Sequence, residues 1–203
     1  MRILKPIVLA SKSPRRIALL KQIGIEPSVV PSRVVEEFDP QASPSENAVQ
    51  LSLRKAQEVA QRFEDALIIG ADTIVVVDGF LLGKPEDQRE AKRMLQFLSG
   101  RTHMVVTGFA LVNSSSDDFV ADFESTEVTF RELPEEEIDE YIASGSPMDK
   151  AGAYGIQDDY GAVFVTRIAG CFYNVVGFPL SKFHTTLQRF HTQLMERTYV
   201  DKN

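Results

Sequence analysis

Apolar and polar positions along this chain repeat with a period near two in some segments and near 3.6 in others. The change of period marks the elements. Ile7-Val8-Leu9-Ala10 is a short apolar strand. It runs into Ser11-Lys12-Ser13-Pro14-Arg15-Arg16, where Ser13 suits a helix N-cap and Pro14 the first helical residue. That helix ends near Gly24, a favoured residue just past a helix C-terminus. Glu26 to Val30 reads as a second short strand. Ser43-Pro44-Ser45-Glu46 has the capping-box pattern and opens a long helix to about Phe63. Leu67 to Val77 is a strand, and Asp78-Gly79 is a hairpin turn. Asp87 to Leu98 follows as a helix, Met104 to Val112 as a strand, and Phe119 to Phe130 as a long half-exposed strand. Pro134 to Ala143 is an acidic helix, with Glu135-Glu136-Glu137 in the first turn, where the helix dipole favours them. Gly161 to Ile168 reads as another strand, and Pro179 to about Glu196 as the closing helix.

Helices alternating with strands, with a hairpin among them, predict a mixed α/β fold whose sheet has both parallel and antiparallel pairs. The 203 residues show no repeat and no long linker, so one domain spanning 1–203 is expected. A formal charge of −7 opposes polyanions, which argues against nucleic acid and anionic membrane as partners. Cys171 is the single cysteine, so no intrachain disulfide forms, which fits a reducing compartment. No apolar run approaches membrane-span length, and the N-terminus lacks a signal-peptide core. The expectation is a cytoplasmic protein. His103, His184 and His191 have no zinc-like spacing.

Against this acidic background the first helix start stands out. A helix N-terminus carries unpaired N–H groups and partial positive charge. Ser11, Ser13, Arg15 and Arg16 gather two hydroxyls and two guanidinium groups at that corner, a donor set suited to a phosphate chain. Asp72 is an acid inside an apolar strand, and a buried carboxylate requires a metal, a cation or a cleft. Lys84 follows the hairpin in Gly83-Lys84-Pro85. The preceding glycine spacing is not that of a P-loop, and Pro85 stands where a magnesium-binding hydroxyl belongs. Asp149-Lys150-Ala151-Gly152-Ala153-Tyr154-Gly155-Ile156-Gln157 combines small residues, which permit close backbone approach, with Gln157, which can both donate to and accept from a base edge.

Together, these segments resemble the Maf family, nucleoside triphosphate pyrophosphatases once described as septum-formation proteins. The matching blocks, in family order, are Leu9 to Arg16, Gly70-Ala71-Asp72-Thr73, Gly83-Lys84-Pro85, Leu98 to His103, Asp149 to Gln157 and Asn174-Val175-Val176-Gly177-Phe178-Pro179-Leu180. The resemblance implies a fold like that of the inosine triphosphate pyrophosphatases, a long bent mixed sheet flanked by helices with a central cleft. It implies hydrolysis of the α–β phosphate bond to a nucleoside monophosphate and pyrophosphate. The 149–157 block looks like the branch acting on dTTP and UTP, with modified pyrimidine nucleotides as a further substrate class.

By the same resemblance, Asp72 takes the catalytic-base position, and Arg15, Thr73 and Gln157 take the substrate-specificity positions. Glu36, Lys55 and Lys84 match other polar positions of the family's cleft. Ser11, Ser13, Arg16 and Lys150 join the substrate-binding set. Glu36 and Asp72 are the expected ligands of a divalent metal, Mg²⁺ or Mn²⁺, which prefers carboxylate and phosphate oxygens. A homodimer is also implied. Two departures stand out: Asp158-Asp159 follow Gln157 where the family usually has glycine, and Val34-Val35-Glu36-Glu37 replaces the commoner Asp-Glu. Alignment favours Glu36 over Glu37. The alternative reading is a non-enzymatic regulator of cell division acting through a binding partner.

Overall fold

The computed structural model describes residues 5–157 and 160–200, with the backbone alone for 197–200. The elements are β1 (Ile7–Leu9), α1 (Pro14–Gln22), β2 (Ser28–Val29), α2 (Pro44–Ala60), β3 (Leu67–Val77), β4 (Phe80–Leu82), α3 (Gln88–Leu98), β5 (Thr102–Asn113), β6 (Phe119–Phe130), α4 (Glu135–Ala143), β7 (Val165–Ala169), α5 (Phe172–Val176) and α6 (Leu180–Val200). Short 3₁₀ turns occupy Ser146–Asp149, Ala151–Ala153 and Tyr160–Phe164. The sheet runs in the order β2-β1-β3-β5-β6-β7, with β4 pairing beside β3. β1 pairs parallel with β2 and β3, while β3/β4 and β6/β7 are antiparallel. The expected mixed sheet flanked by helices is therefore present.

The chain divides into two compact units: Met1–Asp72, Gly108–Phe123 and Phe178–Asn203 in the first, Thr73–Thr107 and Glu124–Gly177 in the second. In the first, the capping box of α2 is complete: Ser43 Oγ accepts the Glu46 N–H at 3.2 Å, and Glu46 accepts the Ser43 N–H at 2.8 Å. Small and β-branched residues build its core, among them Val8, Ala56, Val59, Ile68 and Ala110. Two glycines let α2 lie directly on the sheet. A Cβ on Gly70 would sit 2.0 Å from the Ser52 carbonyl oxygen, and one on Gly108 would sit 2.3 Å from that of Ala48. Any side chain at either place would push the helix away.

In the second unit, α3 packs on α4 and on the turns that follow it. An aromatic group of His103, Phe130, Tyr154, Tyr141 and Phe164 fills its core in edge-to-face contacts. Gly152 has φ +68°, its N–H donates to the Gly83 carbonyl at 3.0 Å, and a Cβ there would meet Val75 at 2.9 Å. The glycine is needed on both counts.

Three expectations change. The strand placed at Gly161 to Ile168 is a 3₁₀ turn through Phe164 and a strand only from Val165. The second strand shortens to Ser28–Val29. Ser13 occupies the N-cap of α1 as expected, but its hydroxyl makes no capping bond. The Ser13 N–H instead donates to Ser11 Oγ at 3.2 Å.

Candidate functional site

The clustered charges of the candidate site lie in the first unit. β1 delivers the chain to Ser11 at the start of α1, and one turn into that helix Arg16 turns back over the sheet. Its guanidinium donates to the Ala71 carbonyl at 2.8 Å and to Ser11 Oγ at 3.2 Å. Arg16 is thereby fixed one residue before Asp72. Burial lowers the Arg16 pKa, and the neighbouring charges of Asp72 and Glu36 oppose that effect.

Asp72 is 5% exposed and Lys55 on α2 is 6% exposed. Lys55 Nζ lies 2.5 Å from Asp72 Oδ1 and 2.6 Å from Glu36 Oε1. One buried ammonium therefore joins two carboxylates, one from the middle of β3 and one from the 30–43 loop. The Glu36 side chain keeps 40% of its surface open to solvent. The close approach at Gly70 makes this possible. Gly70 lies two residues before Asp72 and therefore on the same face of β3. It abuts Ser52 and Ala56, the residues of α2 that flank Lys55. Formally the cluster balances two cations, Arg16 and Lys55, against two anions, Glu36 and Asp72.

The remaining candidates belong to the second unit, apart from Arg15, which is half-buried on α1. Thr73 Oγ1 is 3.0 Å from Thr107 Oγ1. Lys84 is exposed after β4. Gly152, through its bond to Gly83, ties the 149–157 block to the turn that carries Lys84. Lys150 turns its ammonium into its own loop, donating to the Ser146 carbonyl at 2.5 Å and to Asp149 at 2.9 Å. Gln157 is exposed at the end of the block. Asp158 and Asp159 lie outside the described residues.

Residues 6–190 match the family described as Maf-like protein. The chain belongs to the Maf family. A relative from Caldicellulosiruptor saccharolyticus, named dTTP/UTP pyrophosphatase, is 47% identical over 197 residues, covering 95% of this chain and 98% of its own. A Bacillus cereus protein of the same name is 49% identical over 188 residues, covering 93% of this chain and 91% of its own. Among solved structures, the Staphylococcus aureus Ham1 protein aligns with TM-score 0.43 and 17% identity, over 62% of this chain and 72% of that one.

Within this Maf chain, the sequence reading brought Asp72, Glu36, Lys55 and Arg16 forward singly. It missed that Lys55 is the cation Asp72 requires. A signal existed: Leu51, Lys55, Ala56 and Val59 fall on the buried face of α2, so a lysine stands where the helical period calls for an apolar residue. The buried polar pair Thr107 and Asn174 was also missed, although Thr107 interrupts an apolar strand just as Asp72 does.

Proposed function

We propose that this chain is a nucleoside triphosphate pyrophosphatase that hydrolyses dTTP and UTP to the monophosphate and pyrophosphate with a divalent metal. The observation that carries the reading is the buried Asp72–Lys55 pair, joined by the solvent-open Glu36 and with Arg16 beside it. Relatives named dTTP/UTP pyrophosphatase, at 47% and 49% identity over most of the chain, support the substrate class.

Phosphoryl transfer needs charge neutralisation and an aligned water more than covalent help from the protein. Arg15, Arg16 and the N–H groups at the start of α1 hold the phosphate chain. A cation about 4 Å from a phosphate oxygen contributes roughly 4 kcal/mol at an effective dielectric of 20, before desolvation. Asp72 orients the attacking water and takes its proton as the new P–O bond forms, while the bridging oxygen leaves with the other product. Such a base is typically worth ~10²–10⁴-fold in rate. Lys55 fixes the Asp72 carboxylate for that role. Thr73 and Gln157 contact the base, and a site that relies on such bonds penalises a base that leaves them unpaired.

The residues fit a hard divalent cation. Glu36 and Asp72 are carboxylate donors of the kind such a cation takes, one oxygen of each meets Lys55 Nζ, and phosphates and water would supply the remaining ligands. The described cluster is formally neutral, so a polyanionic substrate requires added positive charge. Mg²⁺ or Mn²⁺ held by Glu36 and Asp72 would neutralise charge on the phosphate oxygens. The test is pyrophosphate release from dTTP, UTP, CTP, GTP and 7-methyl-GTP with Mg²⁺, with Mn²⁺ and with a chelator. The reading predicts release from dTTP and UTP foremost, lost on chelation. Release from none of the five would overturn it.

A further inference from the structure

The block from Asn174 to Leu180 supplies no side chain to the charge cluster, yet it begins with one of the most enclosed polar residues in the chain. Asn174 has no exposed surface, and neither has Thr107 on β5. Burying such groups is costly unless they are hydrogen-bonded. Asn174 Nδ2 donates to the Val105 carbonyl and to Thr126 Oγ1, each at 2.9 Å. Thr126, on β6, accepts the Cys171 N–H at 3.0 Å, which binds the start of α5 to the sheet. Thr107 Oγ1 donates to the Asn174 backbone carbonyl at 3.0 Å and meets Thr73 Oγ1 at 3.0 Å. A polar chain thus runs from Thr126 through Asn174 and Thr107 to Thr73, the residue after Asp72.

The choice of residue at 107 is informative. Val105, Val106, Phe109 and Ala110 around it are all buried, and a valine would pack there without burying a hydroxyl. The threonine hydroxyl is spent on two contacts, one to the α5 backbone and one to Thr73. Apart from Asn174 Oδ1, for which no hydrogen-bond partner is found, the buried groups of this polar chain are bonded to one another, and such bonds rigidify their members. Gly177, the last residue of the second unit, also lies close: a Cβ there would be 3.6 Å from Thr73 Oγ1.

We infer that Thr107 and Asn174 are positioning residues that fix the Thr73 hydroxyl, and that base preference depends on them through it. The inference rests on the proposed reading of Thr73 as a base-contacting residue. The experiment measures kcat/KM for dTTP and for CTP in Thr73→Val, Thr107→Val, Thr107→Ser and the wild type, with folding checked by thermal melting. The dTTP-to-CTP ratio falls about tenfold in Thr107→Val, the scale of one lost hydrogen bond. It falls the same way in Thr73→Val, and Thr107→Ser, which keeps the hydroxyl, stays close to wild type. If Thr107→Val does not fold, Thr107→Ala removes the same hydroxyl and carries the same comparison. A ratio that shifts in Thr73→Val but not in folded Thr107→Val or Thr107→Ala overturns the inference and leaves the reading of Thr73 standing. A ratio unmoved in Thr73→Val as well overturns both.

Discussion

A single lysine decides the electrostatics of this site. Placing Lys55 and Asp72 in the interior is costly for each charge taken alone, and the cost is met because the ammonium sits within hydrogen-bond distance of two carboxylates. Removing one member of a buried pair leaves the others uncompensated. Lys55→Met should therefore lower unfolding free energy by about 3–5 kcal/mol, read from urea denaturation. Adding Asp72→Asn to that variant should restore part of the loss, because it removes one of the orphaned charges. A Lys55→Met protein as stable as wild type would show that the cluster is not electrostatically coupled. Asp72 itself was legible in the sequence as an acid among apolar strand residues, and its requirement for a cation followed from burial cost. Which cation met that requirement was not legible, because pairing across 17 residues depends on how α2 lies on β3.

At the level of elements, that placement comes from two glycines. Gly70→Ala would force its new Cβ against the Ser52 carbonyl oxygen, 2.0 Å away, and shift the part of α2 that carries Lys55. Gly108→Ala would press on Ala48 instead, two turns nearer the start of the helix. Both should destabilise the fold by about 1–3 kcal/mol or more, the range for overpacked cores. Gly70→Ala should lose more turnover than Gly108→Ala. Equal losses in turnover would detach the glycine contact from the positioning of Lys55.

A second element-level consequence concerns His103. It is buried beside Phe130, with Nε2 2.7 Å from the Tyr154 hydroxyl, and no hydrogen-bond partner of Nδ1 is found. Burial pushes its pKa down to about 4. An unfolded histidine titrates near 6.5, so between about pH 6.5 and 4 the unfolded chain takes up a proton that the folded chain does not. Stability is unaffected by this group above pH 6.5 and falls by up to about 3 kcal/mol as pH drops to 4. His103→Gln should flatten that part of the stability–pH curve measured by denaturation. An unchanged slope between pH 6.5 and 4 would contradict a buried neutral imidazole.

Across the whole molecule, local signals and long-range contacts divide what the sequence revealed. The strands Leu67–Val77 and Phe119–Phe130 match their predicted limits, since a continuous apolar run and an alternating one are properties of neighbouring residues. The 160–168 segment misled because its apolar residues fit a strand equally well, while Tyr160–Phe164 is tied down by edge-to-face contacts of Phe164 with Tyr141 and Phe130. The five-residue helix Phe172–Val176 left no periodic trace. Arg16, Asp72 and Gln157 were legible one by one, through a helix start rich in donors, an acid among apolar neighbours and a glycine-rich block, whereas Glu36 and Lys55 were marked only by the family resemblance. Their partners were not legible, because each bond joins segments far apart in the chain.

Under the proposed function, Asp72, held by Lys55, activates water for attack on a nucleoside triphosphate. The most direct measurement is pyrophosphate release from dTTP by wild type and by Asp72→Asn, with dTTP affinity measured on the same samples. Turnover should fall ~10²–10⁴-fold or more in the variant, the typical worth of a positioned base, with nucleotide binding largely retained. Turnover in Asp72→Asn equal to that of wild type would contradict that role.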